Sequence, residues 1–374
     1  MGMNFLILDT YYQSFLDSLR REYPDMGKQS YNRQLKLLLS QFFGTSDFYS
    51  SNLRKLGHSA YDLIVNDEVL QKKWATENNL NVKNSLLIDK LRSLPHFYKF
   101  IGQPDWLQQI ALEQIKKYKP DILYMQNLVI LNPETLKKAK QYCKLLVGQI
   151  ASPLPDDKYL SRFDLILTSF PHFVPLLRKK GINSEYLKIG FDPRVLKKIG
   201  RQKKLYNVTF VGGFTPKHAK ATKVLESAAQ KIKIDVWGRG TEFLSLDSPL
   251  RKNYHGEAWG HQMYKILAQS KITLNRHIET AGIYANNMRL YEATGMGVML
   301  ITDYKKNIGD IFKVGDEVET YKDANELVEK IKYYLKNDSL RKKIAKGGQR
   351  KTLNSHTYYL RMKELVEIIE KYIS

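Results

Sequence analysis

A chain of 374 residues, 43% hydrophobic and 26% charged, is long enough for two domains and apolar enough for full cores, which excludes wholesale disorder. One cysteine, Cys143, excludes an intrachain disulfide framework and a cysteine-cage zinc site. The net charge of +22 divides as +8 over residues 1–190 and +14 over 191–374, mostly lysine and without a basic tail of the nucleic-acid-binding sort. A diffuse lysine excess suits a phosphorylated ligand, an anionic membrane surface or a nucleic acid, and equally a protein that is merely kept soluble. The opening MGMNFLILDT lacks the basic start and longer apolar core of a signal peptide. No stretch approaches the roughly 18 apolar residues of a spanning helix. A soluble cytoplasmic protein is expected, with at most peripheral contact at the inner membrane face.

Short apolar runs alternate with amphipathic stretches, the pattern of an α/β protein with parallel sheets. Strands are expected at 4–9, 61–66, 121–125, 144–150, 163–168 and 185–189. Helices are expected at 30–43, 47–56, 105–118, 133–142 and 172–180, the last ending in the basic turn Lys179, Lys180 and the stop Gly181. The alternation breaks at Gly190-Phe191-Asp192-Pro193, and the basic run over 191–205 reads as a linker. It then resumes, with strands at 206–211, 233–237, 271–274, 298–302 and 317–321. The accompanying helices are at 216–231, 260–270, 287–294, 324–336 and 339–346. A final amphipathic helix spans 358–372, with Leu365, Ile368, Ile369 and Tyr372 on one face. The expected domains are therefore 1–190 and 206–357, both doubly wound, followed by 358–374. Open sheets of this kind bind ligands beyond the carboxyl ends of their strands.

Three segments carry candidate chemistry. In Val211-Gly212-Gly213-Phe214-Thr215-Pro216-Lys217-His218 a strand runs into two glycines. Thr215 suits a helix cap and Pro216 its first turn. Glycines admit a ligand close to the backbone, a helix start offers free N–H groups to phosphate, and Lys217 and His218 add charge-assisted donors. An ordinary strand–turn–helix corner has the same composition. The second segment runs from Gly282 to Gly297, where Asn286 or Asn287 caps a helix bearing Arg289 and Glu292 three residues apart, on one face. A carboxylate there suits the paired hydroxyls of a ribose while the helix start meets a diphosphate; the competing reading is a surface ion pair worth a few tenths of a kcal/mol. Third, Trp237-Gly238-Arg239-Gly240 brings an aromatic ring and Arg239 to a strand end, where they could meet a nucleobase or phosphate, and His255-Gly256 follows.

The run NNMRLYEATGMGVMLITD, preceded by SKITLN and NVTFVGGFTPKHAK, resembles the carboxyl-terminal half of the CgeB-type glycosyltransferases. FGTSDFYSSNLRKLGHSAYDLIVND and PDILYMQNLVI are similar to that family's amino-terminal domain. The resemblance implies a GT-B fold, two Rossmann-like domains facing across a cleft, with a nucleotide-sugar on the second domain and an acceptor on the first. Glu292 would then bind the ribose, and Asn287 with the neighbouring backbone the diphosphate. Arg289 would brace Glu292 or stabilise charge, and Gly212, Gly213 and Lys217 would line the phosphate side. The last helix would cross back to the first domain. Related group-1 transferases carry two glutamates eight positions apart, and here Tyr284 stands at the earlier position, which departs from their retaining pattern.

Charge builds on the departing phosphate, so preorganised cations and helix-start amides are the useful catalysts. The chain has no Asp-x-Asp triplet, so a metal-independent reaction is expected, with the nucleotide-sugar (UDP-, GDP- or dTDP-linked) as substrate and no cofactor. An inverting enzyme also needs a general base. Asp47 at a helix start is the first choice, with Asp9 at the end of the first strand and His172 as the others. The expected acceptor is a cell-envelope or spore-surface glycan, protein or other polymer. DNA is a variant acceptor, and a nonenzymatic nucleotide- or nucleic-acid-binding module is the alternative from another class.

Overall fold

The computed structural model describes residues 2–82 and 103–373. The chain divides into two compact units, Met1–Leu187 with Met362–Ser374, and Lys188–Arg361. In the first unit β1 (Asn4–Asp9), β2 (Ser59–Ile64), β3 (Ile122–Met125), β4 (Leu145–Ile150), β5 (Leu165–Thr168) and β6 (Ser184–Tyr186) form a parallel sheet ordered β2-β1-β3-β4-β5-β6. Phe5, Leu6, Ile7 and Leu8 are all buried. A parallel strand covered on both faces needs such an unbroken apolar run, which is why β1 shows no alternation. The chain leaves β1 toward β2 and leaves β3 in the opposite direction toward β4, so the strand order reverses between β1 and β3. The crevice at that reversal opens beyond Asp9 and Met125.

The second unit repeats the plan. β7 (Tyr206–Val211), β8 (Asp235–Trp237), β9 (Ser270–Asn275), β10 (Met299–Asp303) and β11 (Glu319–Tyr321) pair in parallel in the order β11-β10-β9-β7-β8. Its reversal lies between β7 and β9, which are in register from Tyr206↔Ser270 to Phe210↔Leu274. Val208, Phe210, Ile272, Leu274, Met299 and Ile301 form its core with Leu225 of helix Ala219–Ala229 and with Leu327 and Ile331 of helix Ala324–Lys336.

Helices Asp105–Tyr118 and Ala324–Lys336 match the expected spans, and the others shift at their ends, where fraying and caps decide. The helix expected at 339–346 runs on as Asp338–Ser355, because Gly347 and Gly348 pack against the Asp316 and Glu317 carbonyls and do not end it. The stretch expected as a linker over 191–205 contains helix Arg194–Ile199 instead. Asp192 accepts from the Arg194 backbone N–H (2.9 Å) and starts it. Only Val195 of that helix is buried, which leaves no periodicity to read. Helices Gln13–Glu22 and Glu68–Glu77 were not anticipated at all. No helix among the described residues is long and apolar enough to cross a membrane.

Candidate active site

Helix Met288–Gly295 of the second unit starts as its sequence requires. Asn287, rather than Asn286, is the cap: its Oδ1 accepts from the Leu290 N–H, while its Nδ2 donates to Asn275 Oδ1 (2.9 Å) and the Arg276 carbonyl (3.0 Å). The cap thereby ties the helix start to the carboxyl end of β9. Asn286 is buried beside it. Arg289 and Glu292 form an ion pair of 2.7 Å with side chains only 15% and 8% exposed, so the surface-pair reading fails. Arg289 Nε also donates to the Val211 carbonyl (3.1 Å), fixing the helix against the end of β7. Burial pushes the Glu292 carboxyl upward while Arg289 pulls it back down, and the Tyr264 hydroxyl faces its Oε1 at 3.5 Å.

The loop after β7 departs from expectation in two respects. Thr215 does not cap the short 3-10 turn Pro216–His218; its hydroxyl meets His218 Nδ1 at 2.8 Å. His218 is not a cation at neutral pH, since burial and the neighbouring Arg276 lower its pKa to about 4. Lys217 is exposed. Trp237, expected near a nucleobase, is buried and stacked on His255 at 4.4 Å. Its loop serves the loop after β7 instead: the Gly212 N–H donates to the Trp237 carbonyl and the Phe214 N–H to the Arg239 carbonyl. Gly238 and Gly240 have φ of +136° and +87°, and a Cβ on them would lie 2.1 Å from Gly212 O and 1.9 Å from Phe214 O. Gly238→Ala or Gly240→Ala is therefore expected to cost about 3 kcal/mol of stability, read as a fall in the urea midpoint. Gly213→Ala, whose Cβ would come no closer than 3.5 Å to Arg239, is expected to keep a near wild-type midpoint.

Sequence reading missed the residues that close the crevice between β7 and β9. Arg276, just past β9 and 4% exposed, donates to the Gly213 carbonyl (3.0 Å) and the His218 carbonyl (3.4 Å). Its guanidinium lies over the Phe210 and Phe214 rings at 5.2 and 5.4 Å. Next to it, buried His277 places Nδ1 2.6 Å from Asp303 Oδ1. Arginine and histidine after an apolar strand carry no distinctive spacing, so only the fold reveals them.

In the first unit Asp9 stands at the β1–β3 reversal. Its carboxylate accepts from the Thr10 N–H (2.7 Å) and faces the Thr45 hydroxyl (3.1 Å), which in turn is 3.0 Å from Gln126 Oε1. Burial raises the Asp9 pKa to about 6. Asp47 precedes helix Phe48–Lys55 but its side chain makes no cap bond. It joins Asp9 in raising the pKa of buried Asp62 to about 7, chiefly a result of desolvation. These three carboxyls share one neighbourhood. His172 does not join them: it follows β5, three strand positions from β1, and packs against Phe170 and Phe173. Strand spacing makes that separation roughly 14 Å.

Residues 219–367 match a family described as glycosyl transferase-like. No curated protein matches the chain. Among solved structures, a glycosyltransferase from Rickettsia africae shares 14% identity at a TM-score of 0.54, over 100% of this chain and 99% of its own. Anabaena Alr3699/HepE, in complex with UDP and glucose, shares 12% at 0.60, over 99% and 100%. Sucrose-phosphate synthase from Thermosynechococcus elongatus shares 11% at 0.58, over 99% and 98%. The fold is GT-B. The glycosyl transferase-like match covers most of the second unit and less than half of the chain. In the GT-B frame, the crevice between β7 and β9 is where Arg276, Gly213, and Asn287 with Arg289 are drawn together from three separate stretches of sequence.

Proposed function

We propose that the chain is a metal-independent, CgeB-type glycosyltransferase that takes a UDP-linked sugar on its second unit and passes it to a polymeric acceptor of the cell envelope or spore surface. The observation that supports this reading best is the buried Arg289–Glu292 pair on a helix whose cap binds the end of β9. Glu292 accepts from the ribose hydroxyls, and the helix-start amides with Asn287, Gly212, Gly213 and Lys217 meet the diphosphate. The bond between the anomeric carbon and the β-phosphate oxygen breaks, and its electron pair leaves with the diphosphate. The acceptor oxygen bonds to the same carbon and gives its proton to a base on the first unit. For that base we favour Asp9 over Asp47 and His172, since Asp9 lies at the sheet reversal with a pKa raised to about 6. The lysine excess suits peripheral contact with an anionic surface.

Calorimetry against UDP, GDP, dTDP and CDP, followed by hydrolysis of the matching donor sugar, tests the reading. Binding of UDP and donor hydrolysis that persists in EDTA are the expected results. Failure to bind any of the four overturns the donor site, and loss of turnover in EDTA overturns metal independence.

A further inference from the structure

We propose that Arg276 is the cation that grips the donor's diphosphate, through a buried Nε–H that has no hydrogen-bond partner beside the Gly212-Gly213 turn. The inference rests on the donor reading above and assigns its anion contact to one side chain. Four observations converge. Arg276 is 4% exposed, and among the described residues no carboxylate pairs with it; its partners are two backbone carbonyls, those of Gly213 and His218. The Asp303 carboxylate favours its charge without forming an ion pair with it, and a buried cation that lacks a paired counter-ion is costly. Its Nε is buried and has no hydrogen-bond partner. The partners it does have hold the guanidinium beside the Gly212-Gly213 turn, while Asn287 holds its backbone carbonyl at the start of helix Met288–Gly295. The cation is thus fixed where the glycine turn and the capped helix start come together.

Two neighbouring basic residues differ from Arg276 in charge or in burial. His218 is neutral near pH 7 and its side chain is engaged by Thr215. Lys217 is exposed. Burial brings Arg276 itself down only to about 10, so it stays protonated throughout the working range. Rings of Phe210 and Phe214 against the guanidinium exclude water and favour its plane over other orientations. A fixed, desolvated guanidinium stabilises charge on a leaving phosphate more than a mobile lysine does, because it needs no reorganisation as the charge develops.

The test compares three probes on wild type, Arg276→Lys and Arg276→Gln, with circular dichroism confirming that each variant folds: UDP, uridine, and inorganic pyrophosphate. The expected result is a 10- to 100-fold weaker UDP affinity in both variants, the size of one charged hydrogen bond, with uridine affinity within twofold of wild type. Pyrophosphate is expected to raise the melting temperature of wild type and of neither variant. UDP affinity within twofold of wild type in a folded variant overturns the assignment. Equal losses for UDP and uridine also overturn it, since the arginine would then shape the pocket instead of holding the diphosphate. Should Arg276→Gln fail to fold, Arg276→Lys carries the comparison, as it keeps the charge and removes the Nε fork. Wild type that binds none of the probes defeats the donor reading itself, a result distinct from the other two.

Discussion

Glu292→Ala is expected to lower kcat/KM for sugar transfer at least 100-fold and to reduce folding stability as well. Two losses coincide. The ribose loses a charged acceptor, worth about 1.5–3 kcal/mol. Arg289 is left 15% exposed without its carboxylate, and breaking a buried pair from one side typically costs about 3–5 kcal/mol. Because Arg289 also holds the Val211 carbonyl, the end of β7 loosens with it. Steady-state kinetics and urea denaturation separate the two effects. The double variant Arg289→Ala/Glu292→Ala is expected to regain part of the stability, since no unpaired charge remains, and none of the activity. Wild-type donor affinity in Glu292→Ala would remove the ribose assignment.

Asp9→Asn is expected to cut kcat by 10²- to 10⁴-fold, the usual share of a general base, while leaving the fold intact or strengthened. The Asp9 carboxyl holds its proton more tightly folded, at about 6, than its ordinary value of 3.8. Between those two values the folded state binds a proton that the unfolded chain has released, so stability falls as pH rises through this window. Above pH 6 the ionised carboxylate carries a penalty of up to about 3 kcal/mol, which the neutral amide avoids. Asp9→Asn should therefore melt at or above the wild-type temperature at pH 8, with the difference fading toward pH 4. In wild type, kcat/KM should rise through a pKa near 6, because the base must be free of its proton. A variant that retains activity, with that limb unchanged, would move the base elsewhere, and Asp47→Asn is then the next substitution to measure.

The two outcomes differ in kind. On the proposed reading, losing Glu292 removes a group that both the fold and the ligand use, whereas losing Asp9 removes one that the fold tolerates at a cost. A residue kept against its own burial penalty is a better sign of chemistry than one that pays its way in the core.

Much of the architecture could be read directly from the chain. A continuous apolar run such as Phe5 to Leu8 announces a strand covered on both faces, and the Asn-Asn pair before Met288 announces a capped helix. These signals are local: strand period, cap and breaker act within a few residues, so one stretch of sequence contains all the information they need. The pairing of Arg289 with Glu292 was readable for the same reason, being one helical turn long. Its burial was not, because that depends on β7 and Tyr264, which are distant in sequence. Arg276 meets Gly213 across 63 positions and Thr45 meets Gln126 across 81, and no short motif marks either. Even the Trp237–Gly240 loop changed meaning once folded: Trp237, expected near a nucleobase, is buried, and Gly238 and Gly240 seat the neighbouring loop. Sequence determined the elements and the alternation that stacks them into parallel sheets. Tertiary structure alone decided which side chains meet at the reversals of those sheets, since desolvation and charge pairing depend on neighbours in space and not on neighbours along the chain.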